Sequence, residues 1–365
     1  MIARMTPRER WRAALDLRSV DRLPFWPKIY GAYAKAYSRH HAGQNLASLH
    51  AFIGSDRHEL VPTCWRDARK KSRLEVETNG HERLVRFVTP NGALLRRERY
   101  DAPSDSWHPV EMPVKNGEDI RLLASWYADC TPEFDAEQKN KAAAAVAAYS
   151  ESASTASCFG ESPLMEWIEH LAGVENGHYL LADYRHEVEG LFAAMHNVLR
   201  RRAEIEFEHT PADAVYLSEN TSTTLISPEQ YRSYCAPVIG EYAEIARQAG
   251  KRLVLHMCGY LKDLLPDLAK IPVAAFEAFT SPPVGNTRLA DGRAVCPSVC
   301  LIGGTNATLW LQPADKIIAE IARDLDALPH HRGIVLTSAG VMPPAAEPEK
   351  IREVCRFVQS YSPRN

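Results

Sequence analysis

From about residue 135 onward, short apolar runs alternate with longer stretches whose apolar positions recur every three or four residues. The short runs fall at 157–160, 214–217, 252–255, 273–276, 299–302 and 334–336, and each reads as a buried strand. The longer stretches predict helices near 135–150, 182–208, 228–249, 261–270, 313–327 and 347–361. Three of these helices open with a proline at the first turn, at Pro228, Pro313 and Pro348, where the missing N–H costs nothing. A strand-then-helix rhythm predicts a parallel sheet with helical crossovers. The chain has no GxGxxG or GxxxxGK[ST] segment, so a nucleotide-binding doubly wound sheet is the weaker choice and a closed (β/α)8 TIM-type barrel is expected.

The first third of the chain is organised differently. Thr6, Pro7 and Glu9 form the signature of a capped helix start. Residues 23–26 then read as a strand entry that ends near Ile29-Tyr30. Residues 58–61 are strand-like, and the alternating stretches on either side of Pro90-Asn91-Gly92 read as a β-hairpin. Residues 101–120 are rich in turn formers. The expectation is one barrel domain over 1–365, with 57–120 forming an accessory hairpin and a surface connection.

Composition narrows the partners. With 45% apolar and 24% charged residues, the chain has an ordinary globular make-up. A formal net charge of −3 argues against nucleic acid, and Arg200-Arg201-Arg202 reads as a solvated helix face. The N-terminal stretch lacks the apolar segment of a signal peptide, and no run reaches the ~18 apolar residues of a membrane span. A cytoplasmic protein is expected, its eight cysteines reduced and mostly serving as small buried hydrophobes.

A barrel gathers its chemistry at the C-terminal ends of its strands. Those positions hold Glu161, Glu219-Asn220, His256-Met257-Cys258-Gly259, Glu277, Thr305-Asn306 and Ser338. Strand alternation would put His256 and Cys258 on one side. Imidazole and thiolate are good zinc ligands, and Glu277 ends the next strand, ~5 Å away in a barrel. Three ligands and an open position suit catalytic zinc. An isolated HxC is more often structural than metal-binding; its placement at a strand end is what raises the metal reading. Glu219 would orient substrate or complete the metal site, or else cap a helix. Trp26, Tyr30 and Trp310 would wall a substrate pocket or fill the core. Asn220 and Asn306 would bind substrate, although a turn former after Gly303-Gly304 needs no further reason. His40-His41 and His330-His331 sit in polar stretches and read as solvent-exposed.

The segment LVLHMCGYLKDLLPDLAKI resembles the HxCG region of the uroporphyrinogen decarboxylase superfamily, especially its corrinoid-linked, methylcobamide:coenzyme M type methyltransferases. The likeness covers most of the chain. MTPRERWRAALDLRSVDRLPFWP is similar to the family's opening helix and first strand, and VTPNGALLRRE to its hairpin. LISPEQYRSYCAPVIGEY, SVCLIGGTNATLWL and RGIVLTSAGVMPPAAEPEKI resemble later elements in the same order. The resemblance implies zinc held by His256, Cys258 and Glu277, with a fourth cysteine ligand in a Ser-x-Gly-Cys segment. Here that segment reads Ser338-Ala339-Gly340-Val341, and valine cannot bind a metal. Either the site holds zinc more weakly, helped by Glu219, or it holds none. A zinc with one thiolate fewer would favour polarising an oxygen, as in methyl ether cleavage. Cys296 and Cys300 are poor substitutes, since one precedes its strand and the other lies within it.

The decarboxylases of the superfamily carry arginines after the first strand that pair with substrate carboxylates. The corresponding stretch here, residues 27–33, has none; its cation is Lys28. The resemblance therefore implies a methyltransferase that moves a methyl group between a small substrate and a corrinoid on a separate protein docked over the barrel mouth. The competing readings are a metal-independent decarboxylase of a small or tetrapyrrole-like acid, and an inactive barrel that binds a corrinoid or a partner protein.

Overall fold

The structure, a computed structural model, describes residues 4–40 and 45–364; the side chains of His40 and His41 lie outside them. Eight parallel strands form the barrel wall: β1 (Phe25–Trp26), β2 (Arg57–Leu60), β3 (Ala153–Cys158), β4 (Ala214–Ser218), β5 (Leu253–His256), β6 (Ala275–Phe279), β7 (Cys300–Gly304) and β8 (Ile334–Thr337). Neighbours in sequence are neighbours in the sheet, and β1 pairs with β8 through Phe25↔Leu336 and Trp26↔Thr337. The seam between β1 and β2 is closed by one backbone bond, Asp56 N–H donating to Phe25 O at 2.9 Å. Pro24 and Pro27 flank β1, and the donors they lack explain why it is two residues long. The architecture is the expected (β/α)8 barrel.

The helix Pro7–Leu15 closes the bottom of the barrel. Its start is the predicted capping box, with Thr6 and Glu9 satisfying each other's backbone N–H groups. It drives Trp11 against an interior of Trp26, Tyr216, Val254, Ile302 and Val335. These inward residues alternate with outward ones, such as Leu253 and Leu255, which pack under the crossover helices in a second, larger core.

The accessory region is larger and starts later than expected. Residues 57–60 are barrel strand β2, in parallel register with β3, because Arg57↔Ala153 through Leu60↔Ala156 pair edge to edge. The hairpin around Pro90-Asn91 is present, with Thr89 opposite Gly92, but it belongs to a four-stranded antiparallel sheet spanning Arg73–Asn79 to Ser106–Glu111. The sheet rests on the helix Gly117–Ala128, where Phe87 meets Trp126 edge-on at 5.0 Å. Helices Ala32–His40, Leu46–Ile53, Val174–Asp183 and Leu289–Val295 were not predicted; each is short, and its apolar stripe spans too few turns to stand out. His331 is buried rather than exposed, held by Leu325 O at 3.1 Å and the Arg364 N–H at 2.7 Å. No helix among the described residues is long and apolar enough to cross a membrane.

Candidate active site

The mouth of the barrel is built on strained backbone. Among the described residues, seven other than glycine have positive φ, and four of these lie at or just past barrel strand ends: Lys28 (48°), Asn220 (44°), Ala278 (62°) and Ala339 (62°). Such conformations cost roughly 1–3 kcal/mol each and persist only where the surroundings impose them. At Lys28 the result is a buried cation. The chain turns sharply after Pro27 and sends the side chain into the barrel, where the residue is 2% exposed.

There Lys28 Nζ donates to Glu277 Oε1 at 2.7 Å and to Ala339 O at 2.6 Å. It also lies 5.2 Å from the centre of the Trp26 ring. His256 and Glu277 are lateral partners across β5 and β6, and His256 Nδ1 is hydrogen-bonded to Glu277 Oε2. Burial opposes charge on all three groups, yet mutual attraction overrides it. The Lys28 pKa is raised by Glu277, that of Glu277 is held down to about 2 by Lys28 and His256, and that of His256 is lifted to about 9 by Glu277. The centre is thus a carboxylate between two cations. With Nδ1 committed to Glu277, His256 keeps Nε2 for whatever enters.

A cavity of about 510 Å³ opens beside this centre, walled by Trp26, Tyr30, His58, Tyr216, His256 and Glu277. Among the described residues, neither ring nitrogen of His58 nor the Tyr216 hydroxyl has a protein hydrogen-bond partner. No arginine among the described residues lines the cavity. Trp26 and Tyr30 thus both face this cavity. Trp310 does not: it is fully buried against Phe25, its indole N–H on Thr305 Oγ1 at 3.0 Å.

The other expected site residues are distributed differently. Strand β5 ends at His256, yet the Cys258 thiol stays within hydrogen-bonding reach of the His256 ring. The Cys258 thiol faces Asn220 Oδ1 at 3.5 Å and lines a second cavity with Asn220 and Glu169. Gly259 takes φ 116° and lies so close to Ser222 that a Cβ would sit 2.8 Å from it, which explains the glycine after Cys258. Asn306 is consumed by its own loop: its amide donates to Ser281 Oγ and Pro282 O, and its carbonyl accepts from Thr308 and the Leu309 N–H. Glu219 is fully buried behind the wall, accepting from the Ser162 N–H and hydroxyl at 2.8 Å each. Burial raises its pKa to about 8. It braces the site from behind, its N–H donating to His256 O at 2.9 Å, rather than facing the cavity.

The zinc set expected from His256, Cys258 and Glu277 does not fit a metal in this arrangement. Both Glu277 oxygens already accept from cationic donors, the Cys258 thiol lies between the His256 ring and Asn220, and Val341 replaces the fourth ligand. Among the described residues, the donor atoms that do gather within 4.8 Å are those of Glu161, Glu169 and His170. Glu169 there has its pKa pushed up to about 7 by burial and by Glu161. Cys300 lies low in the barrel interior and Cys296 is buried at a helix end, so neither reaches the mouth.

Comparison with known proteins agrees with this architecture. A methyltransferase from Methanosarcina mazei superposes over 97% of this chain and 98% of its own, at a TM-score of 0.59 and 15% identity, a likeness of fold. A putative vitamin-B12 independent methionine synthase from Listeria monocytogenes aligns over 58% of this chain and 65% of its own at 13% identity; its TM-score of 0.35 carries no argument. A search of curated proteins finds no match. Residues 170–361, more than half of the chain, match the family model described as uroporphyrinogen decarboxylase (URO-D). On that match the chain belongs to the uroporphyrinogen decarboxylase family.

Proposed function

We propose that this barrel is a methyltransferase that passes a methyl group from a small methylated substrate, a methyl ether in the simplest case, to a corrinoid on a separate protein. The observation that carries the reading is the aromatic-walled cavity, free of arginine among the described residues, beside a histidine braced by a buried carboxylate. A tetrapyrrole with many carboxylates needs many cations, and the cavity has Lys28, which is already committed to Glu277 and Ala339 O. An uncharged ring or chain with one polar end suits its walls better. The fold shared with the Methanosarcina methyltransferase points the same way.

The corrinoid would supply the nucleophile that accepts the methyl group. The rim of the mouth supports a docked partner: Tyr30, Leu60, Tyr260, Val284 and Val341 are all exposed apolar residues on the segments that leave the strand ends. Within the chain, His256 does the chemistry. As the O–CH3 bond breaks, its electron pair stays on oxygen, and the His256 Nε2 proton moves to that oxygen. Glu277 holds the ring in register and stabilises its charge. Lys28 keeps Glu277 ionised. Trp26 and Tyr30 hold the substrate body, and Glu219 fixes the backbone of His256 from behind.

The second reading, decarboxylation of a small acid without metal, draws on the two cations around one carboxylate, which leave a net positive charge at the cavity wall. One assay separates the two. The protein is incubated with cob(I)alamin, standing in for the partner, and a panel of methoxylated compounds. Methylcobalamin should form and should be lost in His256→Ala. Carbon dioxide release from small acids without any methyl transfer would establish the second reading instead.

A further inference from the structure

We propose that Lys28 stands in the place of the zinc ion that the resemblance to the corrinoid-linked methyltransferases implies, so that this centre carries a covalently attached cation and takes up zinc only when that cation is removed. Glu277 is 1% exposed, and an unpaired carboxylate cannot be kept ionised at that depth. A metal ion would be one way to hold it; here the ammonium of Lys28 does so, at 2.7 Å. The backbone is bent to allow it. Lys28 has φ 48°, its partner carbonyl belongs to Ala339 at φ 62°, and these two strained residues approach each other across the β1–β8 pair. Ala339 belongs to the segment in which Val341 stands where the fourth ligand would be, and Val341 is 40% exposed rather than turned to the centre. The missing fourth ligand and the resident cation therefore belong to one site.

Coulomb's law makes the substitution exclusive. A dication brought to Glu277 would meet a fixed ammonium within a few ångströms in a low-dielectric site, as well as a histidine whose Nδ1 is already engaged. Without Lys28 the same three residues would offer imidazole, thiolate and carboxylate around an open position, given rotation of Cys258 away from Asn220. Zinc is therefore latent in this site and the lysine suppresses it.

Equilibrium dialysis against zinc, followed by elemental analysis, tests the proposal independently of the methyl-transfer reading, because metal content and methyl transfer are measured separately. Wild-type protein should hold no zinc that depends on His256. Lys28→Met should hold close to one equivalent, and the second change His256→Ala should remove it. Zinc that survives His256→Ala but is lost in Glu169→Gln sits at the acidic cluster, and the proposal stands. An equivalent of zinc in wild-type protein that vanishes in His256→Ala overturns it, and so does a folded Lys28→Met that takes up none. If Lys28→Met does not fold, the wild-type measurement, repeated with Lys28→Arg, still decides. Lys28→Arg keeps the positive charge and should remain zinc-free.

Discussion

The two ends of this barrel both bury charge, but in opposite ways. At the bottom, the helix Pro7–Leu15 presents Arg8, Arg10 and Arg12 to Asp21, Asp56 and Asp213. Each oxygen of Asp56 and Asp213 has at least one donor: Asp56 accepts from Arg10, Arg22 and the Phe25 N–H, and Asp213 from Arg8, Arg12 and the Thr155 N–H. At the mouth, satisfaction is incomplete. Among the described residues, Glu161 Oε2, Glu169 Oε1 and the Tyr216 hydroxyl are buried without a protein partner, as are both nitrogens of His58 between the two ends, whereas at the bottom helix the unpartnered group is the uncharged Trp11 indole N–H. Four strained residues also lie at the mouth, one of them Lys28. A fully paired network fixes a structure; a network with spare donors and acceptors can receive a ligand.

The largest effect should come from breaking the bottom network. Arg10 is 3% exposed and links Asp21 to Asp56, which is fully buried. Arg10→Ala should cost about 3–5 kcal/mol in chemical denaturation, because it strands buried charge. The activity of the molecules that remain folded should be unchanged. A variant of normal stability but low activity would contradict the division between the two ends. The converse is His256→Ala at the mouth. It should lower the rate of methyl transfer by about 10²–10⁴-fold, the usual contribution of a general acid, with a much smaller change in unfolding midpoint.

Acid should separate the ends again. Burial works against ionised Asp213, but Arg8, the Thr155 N–H and Arg12 outweigh it and hold its pKa below the ordinary value of 3.8. A carboxylate with a depressed folded pKa stabilises the protein above its unfolded pKa, and that stabilisation is lost as pH falls through the folded value. Asp213→Asn should therefore lower stability at pH 7 and flatten its decline below about pH 4, where the wild type loses the same interaction. Urea midpoints measured from pH 7 to 3 would show the two curves converging.

What the sequence reveals and what it conceals follow from the range of the interactions. Strand runs, the capping box at Thr6 and the HMCG strand end are local patterns, and they lead straight to the barrel and to His256 beside Glu277. The Lys28–Glu277 pair spans 249 residues. Its only local trace is a lone cation among apolar residues, Phe25-Trp26-Pro27-Lys28-Ile29. Cys258 lies past the end of β5, yet its thiol reaches both the His256 ring and Asn220, so the spacing within HMCG is legible while the contact with Asn220 is not. Asn306 misleads because its position after two glycines fits a ligand-binding loop and a self-bonded turn equally well. Glu169 and His170 lie in a stretch of helix whose charges look solvated until the fold turns them toward Glu161.

The smallest predicted effect concerns the residue where the two ends meet. His58 stacks on Trp11 of the bottom helix, with ring centres 4.4 Å apart, and also lines the mouth cavity. Burial lowers its pKa from 6.5 to about 4, so the folded protein holds it neutral. A histidine of this kind contributes fully above its unfolded pKa. As pH falls below about 6.5, the unfolded chain takes up a proton that the folded one refuses, and stability declines until pH passes about 4. Replacing it by phenylalanine keeps the stack and removes two unpartnered nitrogens. His58→Phe should change stability at pH 7 by about 1 kcal/mol, in the stabilising direction. Its advantage over the wild type should grow between pH 6.5 and 4 and then level off. If the variant instead shows the wild-type pH dependence but binds methylated substrate less tightly, His58 is hydrogen-bonded within the cavity. It would then belong to the mouth and not to the plug.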